Sequence, residues 1–497
     1  MVQAGPIQQR PPRLLWAVLL SVALAVRIAA VILLLPKSIA VTGPLTYEHG
    51  AIAENLLAGR GFSVWYLGTE GPTSQQAPWV PFVLAGCYAA FGVGSPAALV
   101  AYQLLQCLAG VGLVAATVRL TWSLVPEHRG CGWIAGWLAA LFPPHIYMVT
   151  HVQAAPWAAL GLTMLLAAAC NRSAPLTWRR TFTLGALSGW LLLVDPILVL
   201  AMPIVGLALL VNADVKPTGD RSTRTLLHRC IRPTVIGLTT LLVIAPWLAR
   251  NFVVHGEFVF VKASFGYALW QGNNELSYGT DKIPKRSAAE IASEHDGSLA
   301  ARNAALWEAR HETIYIDDIL LKPNGYRELI GLSEPARSRV LGEKAKQWIM
   351  DHPGDYVRLS LQRLRYFLLW DATNPKAAHP IYRGSSIFWL TLAFIGLIAA
   401  LPRRRRLWPT IAVFAVITAF HALTITSARF RIPLEPLGFA WGAIGFGPAV
   451  RSIGLRVVAA WRSAREETPP AVSERVPLRG PHRRRSRADL PERTKRH

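Results

Sequence analysis

The sequence predicts an all-α polytopic membrane protein, and three observations predict it. Of the 497 residues, 52% are hydrophobic and only 16% are charged, against about 25% charged in an ordinary soluble chain. Apolar runs of roughly 20 residues, long enough to cross a bilayer, recur along the chain. The basic residues gather in short segments between those runs, the pattern of loops kept on the cytoplasmic side.

Taken in order, spans are expected at about 14–36, 97–118, 132–150, 153–170, 182–194, 197–212, 233–249, 385–401, 408–426 and 433–449. The first run, Leu14 to Leu35, follows Arg10 and Arg13. It is longer than a signal-peptide core and no small-residue cleavage site follows it, so it reads as a retained helix. The 182–212 stretch contains Asp195-Pro196 and is too long for one span yet short for two. It reads as a broken pair, tolerated where a bundle re-satisfies the freed carbonyls. The segment 77–92, "APWVPFVLAGCYAAFG", is apolar but short and opens on prolines. It is expected to lie at the membrane surface or to re-enter, not to span.

The loops test this count. Arg119 and Arg129, then Arg172, Arg179 and Arg180, then Lys216 to Arg232, then Arg403 to Arg406 fall on one side together with a basic N-terminus and tail. The stretch 250–384 on the other side holds 16 of the 29 acidic residues. The expected organisation is a cytoplasmic N-terminus (1–13), an N-terminal transmembrane module (14–249) with a first exterior loop (37–96), a small and mainly helical exterior domain (250–384), a C-terminal transmembrane module (385–449) and a basic cytoplasmic tail (450–497) without fixed structure. The location is the inner or plasma membrane. Within the exterior domain, helices are expected at about 286–314, 335–350 and 354–368, the last starting at "DHPGDY".

A net charge of +23 raises nucleic acid as a partner. The loop and tail placement of that charge argues against it. Cys87, Cys107, Cys131, Cys170 and Cys230 are scattered without ligand spacing, which indicates neither a disulfide framework nor a zinc site.

The polar segment "GPLTYEHGAIAENLLAGRGFS" (43–63) interrupts this oily sequence one helix in from the start. A helix beginning near Thr46 puts Glu48 in its first turn, where a carboxylate is favoured. Gly59 ends it. Placed outside the cytoplasm, Glu48 can also take a proton from a hydroxyl or amine, or hold a metal. Asp195 is an acid within apolar sequence, which marks a functional candidate, although a place at a hairpin bend gives it a simpler reason to be there. Glu435 pairs most simply with Arg431, four residues before it. Gln153 can face the site from the start of its span.

"YEHGAIAENLLAGRGFS" followed by "APWVPFVLAGCYAAFG" resembles the first exterior loop of membrane glycosyltransferases of the GT-C class. The likeness is to the bacterial branch related to the protein O-mannosyltransferases and the aminoarabinose transferase of lipid A, glycosyltransferase family 39-like. "APWLARNFVVHGEFVFVKASFGYALWQGNN" (245–274) and "SARFRIPLEP" (427–436) extend the resemblance over about residues 14 to 450. It implies a GT-C-type transmembrane bundle and an inverting transfer of sugar from a polyprenyl-phosphate carrier to an exterior acceptor, within membrane lipid. The family's first-loop helix often starts near an aspartate. No Asp occurs in 37–96 here, and Glu48 is the substitute.

A departing phosphate needs cations. Arg60, Arg250, Lys262, Arg429 and Arg431 are the candidates by position. Tyr47 and His49 flank Glu48, and Trp270, Asn273 and Asn274 in "WQGNNELSYGT" offer stacking and amide groups for a sugar or acceptor. No metal ligand set is assigned, although the carboxylate chemistry leaves room for a divalent cation. A transporter or flippase of a lipid-linked sugar is one alternative, favoured by Asp195 and Glu435 and opposed by the lack of two matching halves. A non-catalytic glycolipid-binding relative is another. The sugar, the acceptor and the oligomeric state are not set by the sequence.

Overall fold

The computed structural model describes residues 13–40, 46–66, 69–212, 223–283, 314–315, 329, 331–374, 377 and 379–447, all within one compact unit. The first long helix, α1 (Arg13–Ala40), is apolar through Leu34. The polar segment follows as α2 (Tyr47–Leu57), with Glu48 in its first turn and Gly59, at φ 74°, closing it. An antiparallel hairpin of β1 (Ser63–Tyr66) and β2 (Thr69–Pro72) comes next, with Ser63 opposite Pro72. Nothing in the sequence pattern there announces a strand. Helix α3 (Trp79–Phe91) has 13 residues, about 20 Å of rise. It is too short for a hydrocarbon core of about 30 Å, as its length in the sequence suggested.

The next helix, α4 (Pro96–Leu124), is capped by the Ser95 hydroxyl, which accepts from Ala98 N at 3.1 Å. The expected 132–150 span is broken in two, α5 (Arg129–Leu141) and α6 (Pro143–Met148). Pro143 and Pro144 cannot donate into α5, and Phe142 before them is extended. Helices α7 (Ala155–Ala169) and α8 (Trp178–Val194) follow. The 182–212 stretch is a broken pair: Asp195 is extended, Pro196–Ala201 forms a 3-10 turn, and α9 (Met202–Asn212) continues. Then come α10 (Thr223–His255), α11 (Phe265–Gly272) and a two-residue pairing of β3 (Lys282–Ile283) with β4 (Ile314–Tyr315). Apart from Ile314, the helix expected over 286–314 lies outside the described residues. Helices α12 (Glu334–Asp351) and α13 (Pro353–Leu368) match expectation, with Pro353 of "DHPGDY" at the first position of α13. The chain ends with α14 (Pro380–Ala400), α15 (Arg404–Leu423), a 3-10 segment (Ala428–Leu434) and helix α16 over 435–447.

Among the described residues four apolar stretches have the length and composition to cross a membrane: Arg13–Leu34, Pro96–Leu124, Ile231–His255 and Pro380–Leu423. The last is interrupted by a 3-10 turn at Leu401–Arg403. The other expected spans are shorter helices, cut by proline. Buried side chains satisfy the backbone these cuts expose. Arg27 of α1 donates from Nη1 to Ala140 O (3.1 Å) and from Nη2 to Ala139 O (3.2 Å), the last carbonyls of α5. Gln103 of α4 donates to Thr150 O (2.8 Å), and Gln106 to Val149 O (3.0 Å) and His151 O (2.6 Å). These are the internal partners that irregular backbone in a membrane requires.

Helix α4 packs on both α5 and α7, and α8 packs on α10. One large apolar core runs through α1, α4, α5, α7, α8, α14, α15 and α16. The α14–α16 contact is backbone on backbone, since a Cβ on Gly396 would lie 2.4 Å from Gly442 Cα and 2.9 Å from Trp441 O. Gly396→Ala should therefore part the two helices and cost about 1–3 kcal/mol, read as a lowered melting temperature in detergent. An unchanged melt would contradict this packing.

Candidate active site

The first-loop helix α2 carries Glu48 and His49 to the wall of a cavity of about 520 Å³. Four further charged side chains reach the same cavity from separate parts of the chain. Asp195 comes from the α8 break, Lys262 from the α10–α11 connection, Asp281 from the segment before β3, and Arg429 from the 3-10 segment. Glu48 is exposed, and among the described residues it has no ion-pair or hydrogen-bond partner. Among the described residues Lys262 likewise has no partner within ion-pair distance. Arg429 has one long hydrogen bond, Nη1 to Gln153 Oε1 at 3.4 Å. Gln153 itself lines the cavity.

The acids are differently committed. The Asp195 carboxylate caps the 3-10 turn, accepting from Ile197 N at 3.3 Å. Asp281 is paired with Lys282 Nζ at 2.5 Å. Burial alone would raise the Asp281 carboxyl, but Lys282 and Arg429 together pull it below the usual range. Burial lowers the Lys262 ammonium and Arg429 lowers it further, with Asp195 and Glu48 opposing. Burial, then Lys262 and Arg429, push the His49 imidazole down to about 3. His49 is therefore neutral at physiological pH, and among the described residues its buried Nδ1 has no partner.

The other expected cations do structural work. Arg250 donates to Thr73 O (2.7 Å), Ser74 Oγ (2.9 Å), Asn251 Oδ1 (3.1 Å) and Phe62 O (2.8 Å). Glu334 of α12 meets the same strand end, accepting from Thr73 Oγ1 and Ser74 N, both at 2.6 Å. This cluster fixes the loop that leads to α3. Arg60 folds back on α2, donating to Asn55 Oδ1 at 2.9 and 2.6 Å. Arg431 is buried and pairs with Glu435 Oε1 at 3.0 Å, as their spacing suggested. Neither Arg60, Arg250 nor Arg431 lines the cavity.

The expected sugar-reading loop is also committed elsewhere. Trp270 is buried against Leu341 and Ala345. Asn273 donates to Leu269 O (2.8 Å) and Thr424 O (3.1 Å) and accepts from Arg363. Asn274 donates to Trp270 O at 2.7 Å. None of the three lines the cavity. Tyr47 opens α2, and its side chain lies outside the described residues. Asp281, only a few positions beyond Asn274, was not singled out in the sequence. Asp195 was, but its place at a bend counted against it.

For a divalent cation, no three His, Cys, Asp or Glu side chains among the described residues gather closely enough to form a site. Glu48, Asp195 and Asp281 share the cavity but not a coordination centre.

The cavity has a defined place in the bundle. Arg406 pairs with Glu127 at 2.7 Å, and Arg172 donates to Arg405 O at 2.8 Å, so three basic loops meet. Helix α8 begins just after one of those loops, at Trp178 with Arg179 and Arg180 in its first turn, and ends at Val194, with Asp195 as its cap. Helix α15 begins at Arg404 and leads to Thr424 on the cavity wall. The cavity thus lies at the far ends of both helices from the basic cluster.

No family model and no curated protein matches the chain. Among solved structures it is similar to the archaeal oligosaccharyltransferase AglB from Archaeoglobus fulgidus in complex with an inhibitory peptide and a dolichol-phosphate. The overlay has 15% identity and a TM-score of 0.50, and covers 93% of this chain and 52% of that one. The Archaeoglobus fulgidus oligosaccharyltransferase tethered with an acceptor peptide containing the NVT sequon gives 13% identity and a TM-score of 0.52, covering 89% and 50%. A looser overlay, at a TM-score of 0.39 and 14% identity, is with ArnT from Cupriavidus metallidurans bound to undecaprenyl phosphate, covering 86% and 77%. The chain spans about half the length of the archaeal enzymes. The fold is the all-α polytopic membrane bundle of GT-C architecture.

The buried neutral histidine sets a pH dependence. Between its ordinary value of 6.5 and about 3, the unfolded chain holds a proton at His49 that the folded chain refuses. The unfolded state binds more protons there, so stability falls as the pH drops through that window. His49→Gln should flatten this part of the melting-temperature profile between about pH 7 and pH 4. An identical slope in wild type and variant would contradict the assignment.

Proposed function

We propose that this chain is an integral-membrane glycosyltransferase that moves a sugar from a polyprenyl-phosphate carrier to an acceptor, with inversion at the anomeric carbon. The observation that carries the reading is the pair of uncommitted cations, Lys262 and Arg429, sharing one cavity with the uncommitted carboxylate Glu48. Lys262 is half-buried and Arg429 exposed, and an anionic ligand between two cations of like sign relieves their mutual repulsion. A phosphate supplies the charge, and Arg grips it through two parallel hydrogen bonds.

In the proposed step the acceptor hydroxyl or amine gives its proton to Glu48 as its oxygen or nitrogen attacks the anomeric carbon. The bond from that carbon to the phosphate oxygen breaks, and the electron pair leaves with the phosphate. The carrier becomes a phosphate monoester with one more negative charge, and Lys262 and Arg429 stabilise the charge as it develops. Neutral His49 stands beside them as a hydrogen-bonding group that adds no charge.

The dolichol-phosphate held by the archaeal structure supports a polyprenyl carrier. The finer kinship, with the bacterial branch related to the protein O-mannosyltransferases, rests on the motifs of the first loop and of 427–436. In this reading the basic loops and both termini are cytoplasmic, and the cavity opens to the exterior face with 37–96 and 250–384. Glu435, one of the two acids that favoured a transporter, is consumed by Arg431, with His145 Nε2 2.8 Å away.

Transfer from radiolabelled polyprenyl-phosphate sugars in membranes tests the reading. Glu48→Gln should lower kcat by about 10²–10⁴-fold, the range of a general base, with KM little changed. Arg429→Ala and Lys262→Ala should each weaken carrier binding about tenfold or more, as expected for a hydrogen bond to a charged group. Full transfer by Glu48→Gln would remove it as the base, and no transfer by wild type from any carrier would favour a non-catalytic glycolipid-binding protein.

A further inference from the structure

The cavity wall includes two adjacent glutamines. Gln75 and Gln76 both line the cavity and are half-buried. Among the described residues neither amide makes a hydrogen bond. The backbone that leads into them, by contrast, is held at several points. Glu334 accepts from Ser74 N at 2.6 Å, and Arg250 donates to Thr73 O at 2.7 Å. Gln75 N donates to Thr73 Oγ1 at 3.1 Å, and Ser74 O accepts from Ala263 N at 2.9 Å. Pro78 then leads directly into α3. The two amides therefore hang from fixed points, which lowers the ordering cost of using them in binding.

A glutamine amide offers two donors and an acceptor without charge. That set matches a ring hydroxyl, which both donates and accepts. It is a poor match for a phosphate, which Lys262 and Arg429 already serve. The carboxylates Glu48, Asp195 and Asp281 on the same cavity disfavour an acidic sugar. We propose that Gln75 and Gln76 form the sugar subsite and select a neutral, hydroxylated sugar by hydrogen bonds to its ring hydroxyls. This rests on the donor reading above and adds to it the part of the donor these residues read.

The test uses the full chain in lipid nanodiscs, as wild type, Gln75→Leu, Gln76→Leu and the double variant. Two quantities are measured: the Kd for polyprenyl phosphate alone, and kcat/KM over a panel of polyprenyl-phosphate sugars. The panel includes epimers at single hydroxyls and an acidic sugar. The variants should bind the bare carrier within about twofold of wild type while losing about tenfold in kcat/KM per amide on the preferred sugar, since each leaves a hydroxyl unpaired. Their discrimination between epimers should shrink. Unchanged epimer preference with kcat/KM within twofold of wild type would overturn the subsite, as would a parallel loss of bare-carrier binding, which marks a structural role. Wild type preferring the acidic sugar would overturn it too. Failure of wild type to bind the bare carrier would instead strike the donor reading itself.

Discussion

The structure turns on one buried guanidinium. Arg431 donates to Glu435 Oε1 (3.0 Å), to the backbone carbonyls of Phe367, Leu368 and Leu369 at the end of α13, and to Ser386 Oγ (3.0 Å) on α14. Its charge lies 5.0 Å over the Trp389 ring. Glu435 in turn stands 2.8 Å from His145 of α6, close but off the hydrogen-bond direction. One side chain thus joins α13, α14 and α16, and its partner Glu435 stands beside α6. Removing one partner of such a pair typically costs about 3–5 kcal/mol, because a charge is left buried and alone. The segment it pins, Ala428–Leu434, also carries Arg429 two residues away into the cavity. The cation that lines the cavity is thus carried on the segment that the buried cation pins.

The same division of labour appears in the helix breaks. A continuous apolar helix presents no polar backbone, so a polar cavity needs interrupted helices whose freed groups find partners. The α5–α6 break is satisfied by Arg27, the turn before α7 by Gln103 and Gln106, and the α8 break by Asp195 itself. Two of these three breaks open toward the cavity. Gln153 stands after one and Asp195 within another.

Local signals were legible in the sequence. Gly59 closing α2, Pro353 opening α13, the Asp195-Pro196 break and the Arg431–Glu435 spacing are all set within a few residues, and each is found. Long-range commitments were not legible. Nothing near Arg250 in sequence says that Thr73, 177 positions away, consumes it. Asn273 looked available for a sugar until Arg363, 90 positions on, claimed it. Only the folded chain distinguishes a polar side chain that holds a loop from one left over for a ligand. Gln75 and Gln76 are unremarkable by sequence for the same reason: only the fold shows that, among the described residues, nothing bonds their amides. The hairpin β1–β2 was hidden because its strands have four residues each, too few for a periodic pattern to stand out.

The central claim is that Lys262 and Arg429 hold the phosphate of a lipid carrier opposite Glu48. A structure of the protein with polyprenyl phosphate bound in nanodiscs tests it most directly. The account predicts phosphate density within hydrogen-bond reach of both the Lys262 ammonium and the Arg429 guanidinium, with Glu48 facing the side where the sugar would join. Density centred on Arg60 or Arg250, with the cavity empty, would contradict it.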